Sequence, residues 1–127
     1  MRLFLVRHAH SHPGEPDELR PLSAEGRRQA RELGARLSDA RPEVVLSSPL
    51  LRARETAAAI AEAAGSELRV DERLAPGAGP EDVLSAAAGV QTAVAVGHQP
   101  DCSEIAVSLT GRDPGFKPAG VVEIEVS

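Results

Sequence analysis

Short, wholly apolar runs recur along this 127-residue chain, separated by longer stretches in which apolar positions return every three or four residues. Leu3-Phe4-Leu5-Val6 is the first such run, and residues 2–6 are predicted as a strand. Four consecutive apolar residues between polar neighbours suit a strand covered on both faces. Val44-Val45-Leu46 and Thr92 to Val96 have the same character, and Leu68-Arg69-Val70 is a shorter candidate. The run from Val121 to Val126 instead alternates apolar with acidic residues. A period of two predicts a half-exposed strand, antiparallel at a sheet edge.

Between the strands the period changes. Ser23 is a candidate N-cap for a helix to about Leu37, with Ala30, Leu33 and Leu37 as its buried stripe and Arg27, Arg28 and Arg31 facing water. Pro49 opens a second helix that runs to about Ala64, where Gly65 ends it. A short helix is expected over 81–88. Asp101 followed by Glu104 has the spacing of a capping box and predicts a helix to about Leu109. Residues 9–21, with Pro13, Gly14, Pro16 and Pro21, and residues 75–80 read as loops. Strands alternating with helices predict a three-layer α/β/α sandwich on a mostly parallel sheet with an antiparallel edge strand. The length fits one domain spanning 1–127.

Composition narrows the functional classes. With no Trp or Tyr and two Phe, the core must come from Leu, Val, Ile and Ala. A formal charge of −5 argues against nucleic-acid binding, which normally shows a basic excess. One cysteine, Cys102, excludes an intrachain disulfide and fits a reducing compartment. No apolar stretch approaches the roughly 18 residues of a membrane span, and the N-terminal run is too short for a signal-peptide core. The expectation is a cytoplasmic protein without a membrane partner.

Ligands of open α/β sheets bind outside the carboxyl ends of the strands. Arg7 and His8 follow the first strand, Arg52 lies in the opening turn after the second, and Gly97-His98 follow the Thr92–Val96 run. Two of the following helices would aim N-terminal amides at the same edge. Cationic and titratable groups converging from three strands suggest a phosphate pocket, because a dianion needs several fixed donors.

The order of these residues resembles the histidine phosphatase superfamily. Arg7-His8-Ala9, Ser48-Pro49-Leu50-Leu51-Arg52-Ala53 with Glu55-Thr56-Ala57 behind it, and Gly97-His98 carry the resemblance over nearly the whole chain. Arg20-Pro21-Leu22-Ser23 followed by Gly26 resembles the small SixA-type branch, the phosphohistidine phosphatases. The resemblance implies a phosphoglycerate-mutase-like fold, His8 as nucleophile, and Arg7 and Arg52 as ligands of the phosphoryl oxygens. It further implies His98 as a donor to those oxygens and Arg20 as a third pocket arginine. It implies no metal or other cofactor, since guanidinium groups carry the charge. Glu72 matches the region where one branch keeps a general acid; Asp101 is a weaker candidate, better explained as a helix cap.

The implied substrate is phosphohistidine on a protein, because an imidazole leaving group asks little of a general acid and the chain between Arg52 and His98 is too short for a lid. The alternatives are a small-molecule phosphomonoesterase and a phospho-ligand binding module. His8, His10 and His12 also have metal-ligand spacing, but the further ligands of a metal hydrolase are lacking. His10 and His12 are expected at the pocket mouth or in solvent. Oligomeric state is open.

Overall fold

The computed structural model describes residues 1–127. Five strands form one sheet: β1 (Arg2–Arg7), β2 (Val44–Ser47), β3 (Glu67–Val70), β4 (Thr92–Gly97) and β5 (Val121–Glu125). Their order across the sheet is β3-β2-β4-β1-β5. Neighbours are parallel except β1 and β5, which are antiparallel. Four helices complete the fold: α1 (Ala24–Ser38), α2 (Leu51–Ala64), α3 (Pro80–Ala86) and α4 (Asp101–Thr110). The three layers expected from the alternation of elements are present, with the predicted antiparallel strand at one edge.

The layering explains the apolar runs. Successive side chains of a strand point to opposite faces. Leu3, Leu5, Val44, Leu46, Ala93 and Ala95 face α3 and α4, where they meet Val83, Cys102, Ile105 and Ala106. Phe4, Val6, Val45, Val94 and Val96 face the other way, against Leu33 and Leu37 of α1 and Ala53, Ala57 and Ile60 of α2. The three inner strands are therefore buried on both sides and contain no polar interruption. The edge strands differ: β3 is exposed throughout, and β5 buries only Ile124.

Helix ends follow local chemistry. The Ser23 hydroxyl accepts the Gly26 amide 3.0 Å away and so caps α1 as expected. Gly65 closes α2 with φ of 68°, a left-handed conformation that glycine adopts without a Cβ penalty. Two expected boundaries shift. The second helix starts at Leu51 rather than Pro49, because Ser48 to Leu50 turn the chain away from the sheet first. Asp101 is the first residue of α4 and does not cap it. Its buried carboxylate instead accepts the Gly77 amide at 2.8 Å and ties the 75–79 loop to the helix. No helix is long and apolar enough to cross a membrane.

Candidate active site

The parallel registers decide which residues meet. Arg7 pairs with Gly97 across β1 and β4, and Ser47 pairs with Val96 across β2 and β4. The residues immediately beyond, His8, Ser48 and His98, therefore leave the sheet side by side. The backbone continues the ladder for one more step, with the His8 amide on the Gly97 carbonyl at 3.0 Å and the Ser48 amide on the Val96 carbonyl at 3.1 Å. The edge that carries His8, Ser48 and His98 is thus a continuation of the inner strands' hydrogen-bonded ladder.

Beyond this edge lies an open pocket of about 290 Å³, lined by Arg7, His8, His10, Ser11, Arg20, Arg52, His98, Gln99 and Pro118. The structure brings His8, Arg7, Arg52, His98 and Arg20 together on one wall system, although they are spread over 92 positions of sequence from Arg7 to His98. Glu72 is not among them. It is exposed and opens a short 3-10 turn, Glu72–Leu74, outside the pocket wall. His10 lines the pocket with its Nδ1 2.6 Å from the Ser23 hydroxyl, whereas His12 is exposed. No group of three or more His, Cys, Asp or Glu side chains is placed to hold a metal ion.

His8 is held in one tautomer. Its Nδ1 lies 2.7 Å from the Ala9 carbonyl. A carbonyl can only accept, so Nδ1 carries the proton and Nε2 keeps its lone pair. Burial pushes the His8 pKa down to about 4, against a weaker opposing effect of the Ala9 carbonyl; the guanidinium groups of Arg52, Arg7 and Arg20 push it the same way as burial. His98, 5% exposed, is likewise lowered to about 4, first by burial and then by the neighbouring His8 and Arg52. The two rings stand 5.3 Å apart, tilted by 58°. Both imidazoles are neutral at neutral pH.

Each arginine is oriented from behind. Arg7 donates to the Phe116 carbonyl at 2.9 Å, and its buried Nε has no partner. Arg52, 8% exposed, donates from one terminal nitrogen to the Asp17 carbonyl at 2.9 Å and from the other to the Asp17 carboxylate at 3.2 Å. Arg20 donates to the second oxygen of that carboxylate at 3.0 Å, to the His12 carbonyl at 2.7 Å and to Ser11 Oγ at 2.9 Å. Asp17 thus bridges two arginines that would otherwise repel, and both partners hold its carboxyl below the usual carboxylate range, Arg20 foremost.

Two residues of the α2 sequence block serve the loop rather than the pocket. Thr56 Oγ1 accepts the Ala9 amide at 3.0 Å and donates to the Arg52 carbonyl at 2.8 Å. Glu55 accepts the Leu22 amide at 2.7 Å. They fasten the segment after His8 to the helix that carries Arg52. Neither role is legible from the sequence around Glu55 and Thr56, and Asp17 is a site residue that no sequence motif marks. The three-residue step from Asp17 to Arg20 was the one available signal.

Three arginines and two neutral imidazoles around an open pocket, at the carboxyl edge of a parallel sheet, define an α/β protein that handles phosphoryl groups. Residues 3–76 match the profile of the histidine phosphatase superfamily (branch 1), and the chain belongs to that superfamily. It is accordingly an enzyme, a phosphatase. An uncharacterized protein of Picosynechococcus sp. is 34% identical over 96% of this chain and 83% of its own length. Among solved structures, a candidate phosphohistidine phosphatase SixA from Agrobacterium tumefaciens is 29% identical, with a TM-score of 0.82 over 96% of this chain and 89% of that one. A protein histidine phosphatase SixA complexed with tungstate superposes with a TM-score of 0.88 over 99% and 88% of the two chains; at 24% identity it shows the shared fold. Within the superfamily the likeness is therefore to the SixA type.

Proposed function

We propose that this protein hydrolyses phosphohistidine on a partner protein, by way of a transient phosphohistidine on His8. The observation that carries the reading is the His8 ring itself: one nitrogen is tied to the Ala9 carbonyl, and the ring is neutral and set among Arg7, Arg20 and Arg52. A nucleophile with a free lone pair inside a cationic pocket is what phosphoryl transfer requires, since that chemistry is mainly positioning and charge stabilisation.

In the first step, His8 Nε2 attacks phosphorus while the bond from phosphorus to the substrate nitrogen breaks. The departing imidazole leaves neutral when its far ring nitrogen already holds a proton. His8 then carries phosphoryl on Nε2 and a proton on Nδ1, and the Ala9 carbonyl faces that positive ring. In the second step, water attacks phosphorus, its proton goes to the phosphate formed, and His8 recovers its lone pair. Arg7, Arg20, Arg52 and His98 hold the phosphoryl oxygens in both steps.

Two features favour phosphohistidine over a sugar or alcohol phosphate. None of the nine pocket-lining residues is a carboxylic acid, and Asp101 is committed to Gly77. An alkoxide needs a proton donor as it leaves, whereas imidazole has a conjugate acid of pKa about 6.5 and does not. The pocket is also small and open, near the lower end of ordinary ligand clefts at roughly 300 Å³. It has room for a phosphoryl group and one side chain, with the rest of a protein outside. The neighbour that binds tungstate, a tetrahedral oxyanion, is consistent with the same chemistry.

The test is phosphate release by wild type and His8→Ala, from a phosphohistidine protein and from an aryl phosphate, with chelator present. Wild-type turnover of the phosphohistidine protein that disappears in His8→Ala is expected. Equal rates in the two proteins would exclude His8 as nucleophile, and a preference for the aryl phosphate would exclude the substrate.

A further inference from the structure

We propose that Ser48 is a positioning residue that sets the tautomer of His98, donating its hydroxyl proton to Nε2 so that Nδ1 bears the imidazole proton. The last consequence, that Nδ1–H serves the phosphoryl oxygens, rests on the function proposed above. The assignment of the proton does not.

The argument is a count of donors and acceptors. Ser48 is completely buried, and its Oγ has two polar neighbours: the Leu50 amide at 3.2 Å and His98 Nε2 at 2.7 Å. An amide can only donate, so it takes an Oγ lone pair. The single hydroxyl hydrogen then has one acceptor within reach, His98 Nε2. In the opposite tautomer Nε2–H would point at Oγ and the hydroxyl hydrogen would be buried without an acceptor. His98 Nδ1, which is buried and has no partner, would be a second unsatisfied atom, a bare lone pair. The proposed tautomer leaves one unsatisfied group, the Nδ1–H, and an arriving anionic oxygen is the partner such a donor lacks. A buried polar atom without a partner is costly, so the arrangement with fewer of them prevails.

The fold makes this pairing unavoidable. Ser48 and His98 each follow by one or two residues the paired positions Ser47 and Val96 on adjacent parallel strands. The Ser47 hydroxyl adds support by donating to the Ser48 carbonyl at 2.8 Å. A hydroxyl at the end of β2 is thereby fixed against a ring at the end of β4.

Nitrogen NMR of the imidazole groups in the wild-type protein at neutral pH reads the tautomer directly, with His98 assigned by the signals lost in His98→Asn. The expected result is a protonated-type Nδ1 and an unprotonated-type Nε2. Ser48→Ala should let the proton move to Nε2 in part of the population. Its kcat should fall roughly tenfold or more, toward the loss seen when one oxyanion donor is removed. Ser48→Thr, which keeps the hydroxyl, should retain the wild-type tautomer. A protonated-type Nε2 in the wild type overturns the assignment whatever the variants do. The predicted tautomer in a protein that hydrolyses no phosphohistidine would uphold Ser48 and overturn the function; an active enzyme with the reverse tautomer would do the opposite.

Discussion

Gly26→Ala should damage both stability and activity, and the size of the effect can be worked from one contact. Gly26 is the third residue of α1, and a Cβ built on it would lie 1.9 Å from the His10 carbonyl oxygen. Ordinary contact begins at 3.4 Å, so helix and loop must part by about 1.5 Å. The atom in the way is backbone and cannot swing aside. The same carbonyl accepts the Ser23 amide at 3.0 Å and the Ser23 hydroxyl at 3.3 Å, and parting strains both. Overpacking costs about 1–3 kcal/mol and each weakened hydrogen bond about 1 kcal/mol, so about 3 kcal/mol is expected. For a chain of this length that is a fall in Tm of roughly 10 °C. Thermal unfolding is best followed by far-UV circular dichroism, since the chain has no Trp or Tyr to report by fluorescence. His10 is two residues from His8, so the displaced loop should also lower kcat/KM, by up to about a hundredfold for a misplacement of this size. A Tm within 2 °C of wild type would refute the packing argument. A large fall in Tm with undiminished kcat/KM would show that the helix, not the His8 loop, gives way.

Two further outcomes follow from the pocket's electrostatics. His8 and His98 have pKa values of about 4 in the folded chain against 6.5 when unperturbed, so between those limits the unfolded chain binds more protons. Stability should therefore fall as pH drops from 6.5 toward 4, and the acid limb of kcat/KM should lie near 4 rather than 6.5; an acid limb at 6.5 would contradict the buried, neutral His8. Asp17→Asn should lower kcat/KM by roughly two- to tenfold, because Arg52 and Arg20 lose the exposed carboxylate that orients them. A rise in activity would mean instead that Asp17 withholds the arginines from substrate.

What could be read from the chain, and what could not, divides by the range of the interaction. The inner strands were legible because burial on both faces leaves an unbroken apolar run, as at Leu3 to Val6. The Ser23 cap and the Gly65 stop were legible because each acts within a few residues. Asp101 had the pattern of a cap and is something else, since its partner Gly77 lies 24 residues away in a loop without periodicity. The starting point of α2 was misplaced because Pro49 fits a first helical turn by its φ angle but here belongs to the turn before it. His8, Arg52 and His98 could be grouped because each closely follows a strand whose neighbours the alternation of elements suggests. Asp17, Ser48 and Thr56 gain their meaning only when the sheet order places them against Arg52, His98 and Ala9. Glu72 shows the reverse hazard, a residue in a suggestive stretch that the short turn after β3 leaves in solvent.

The concentration of positive charge at this edge sets the terms for everything else there. Arg7, Arg20 and Arg52 lie around one pocket, and a protonated His8 or His98 would add a fourth cation among them. Burial of the two rings prevents this, because it disfavours the charged form of each imidazole, and the arginines reinforce the effect. The rings can be buried because β1 and β4 are inner strands, covered on both faces by helices, and deliver them at the covered end of the sheet rather than on an exposed strand. In the reaction proposed above a neutral His8 is the reactive form, so the same burial that relieves the arginines keeps free the lone pair that would attack phosphorus. On the same proposal, the requirement reverses once phosphoryl is attached to His8. The His8 ring then becomes positive, and what stabilises it is the phosphoryl group's own negative charge together with the Ala9 carbonyl. The pocket therefore favours positive charge on His8 only when the substrate's anion is present, which ties the chemistry of the ring to the arrival of the group it is to accept.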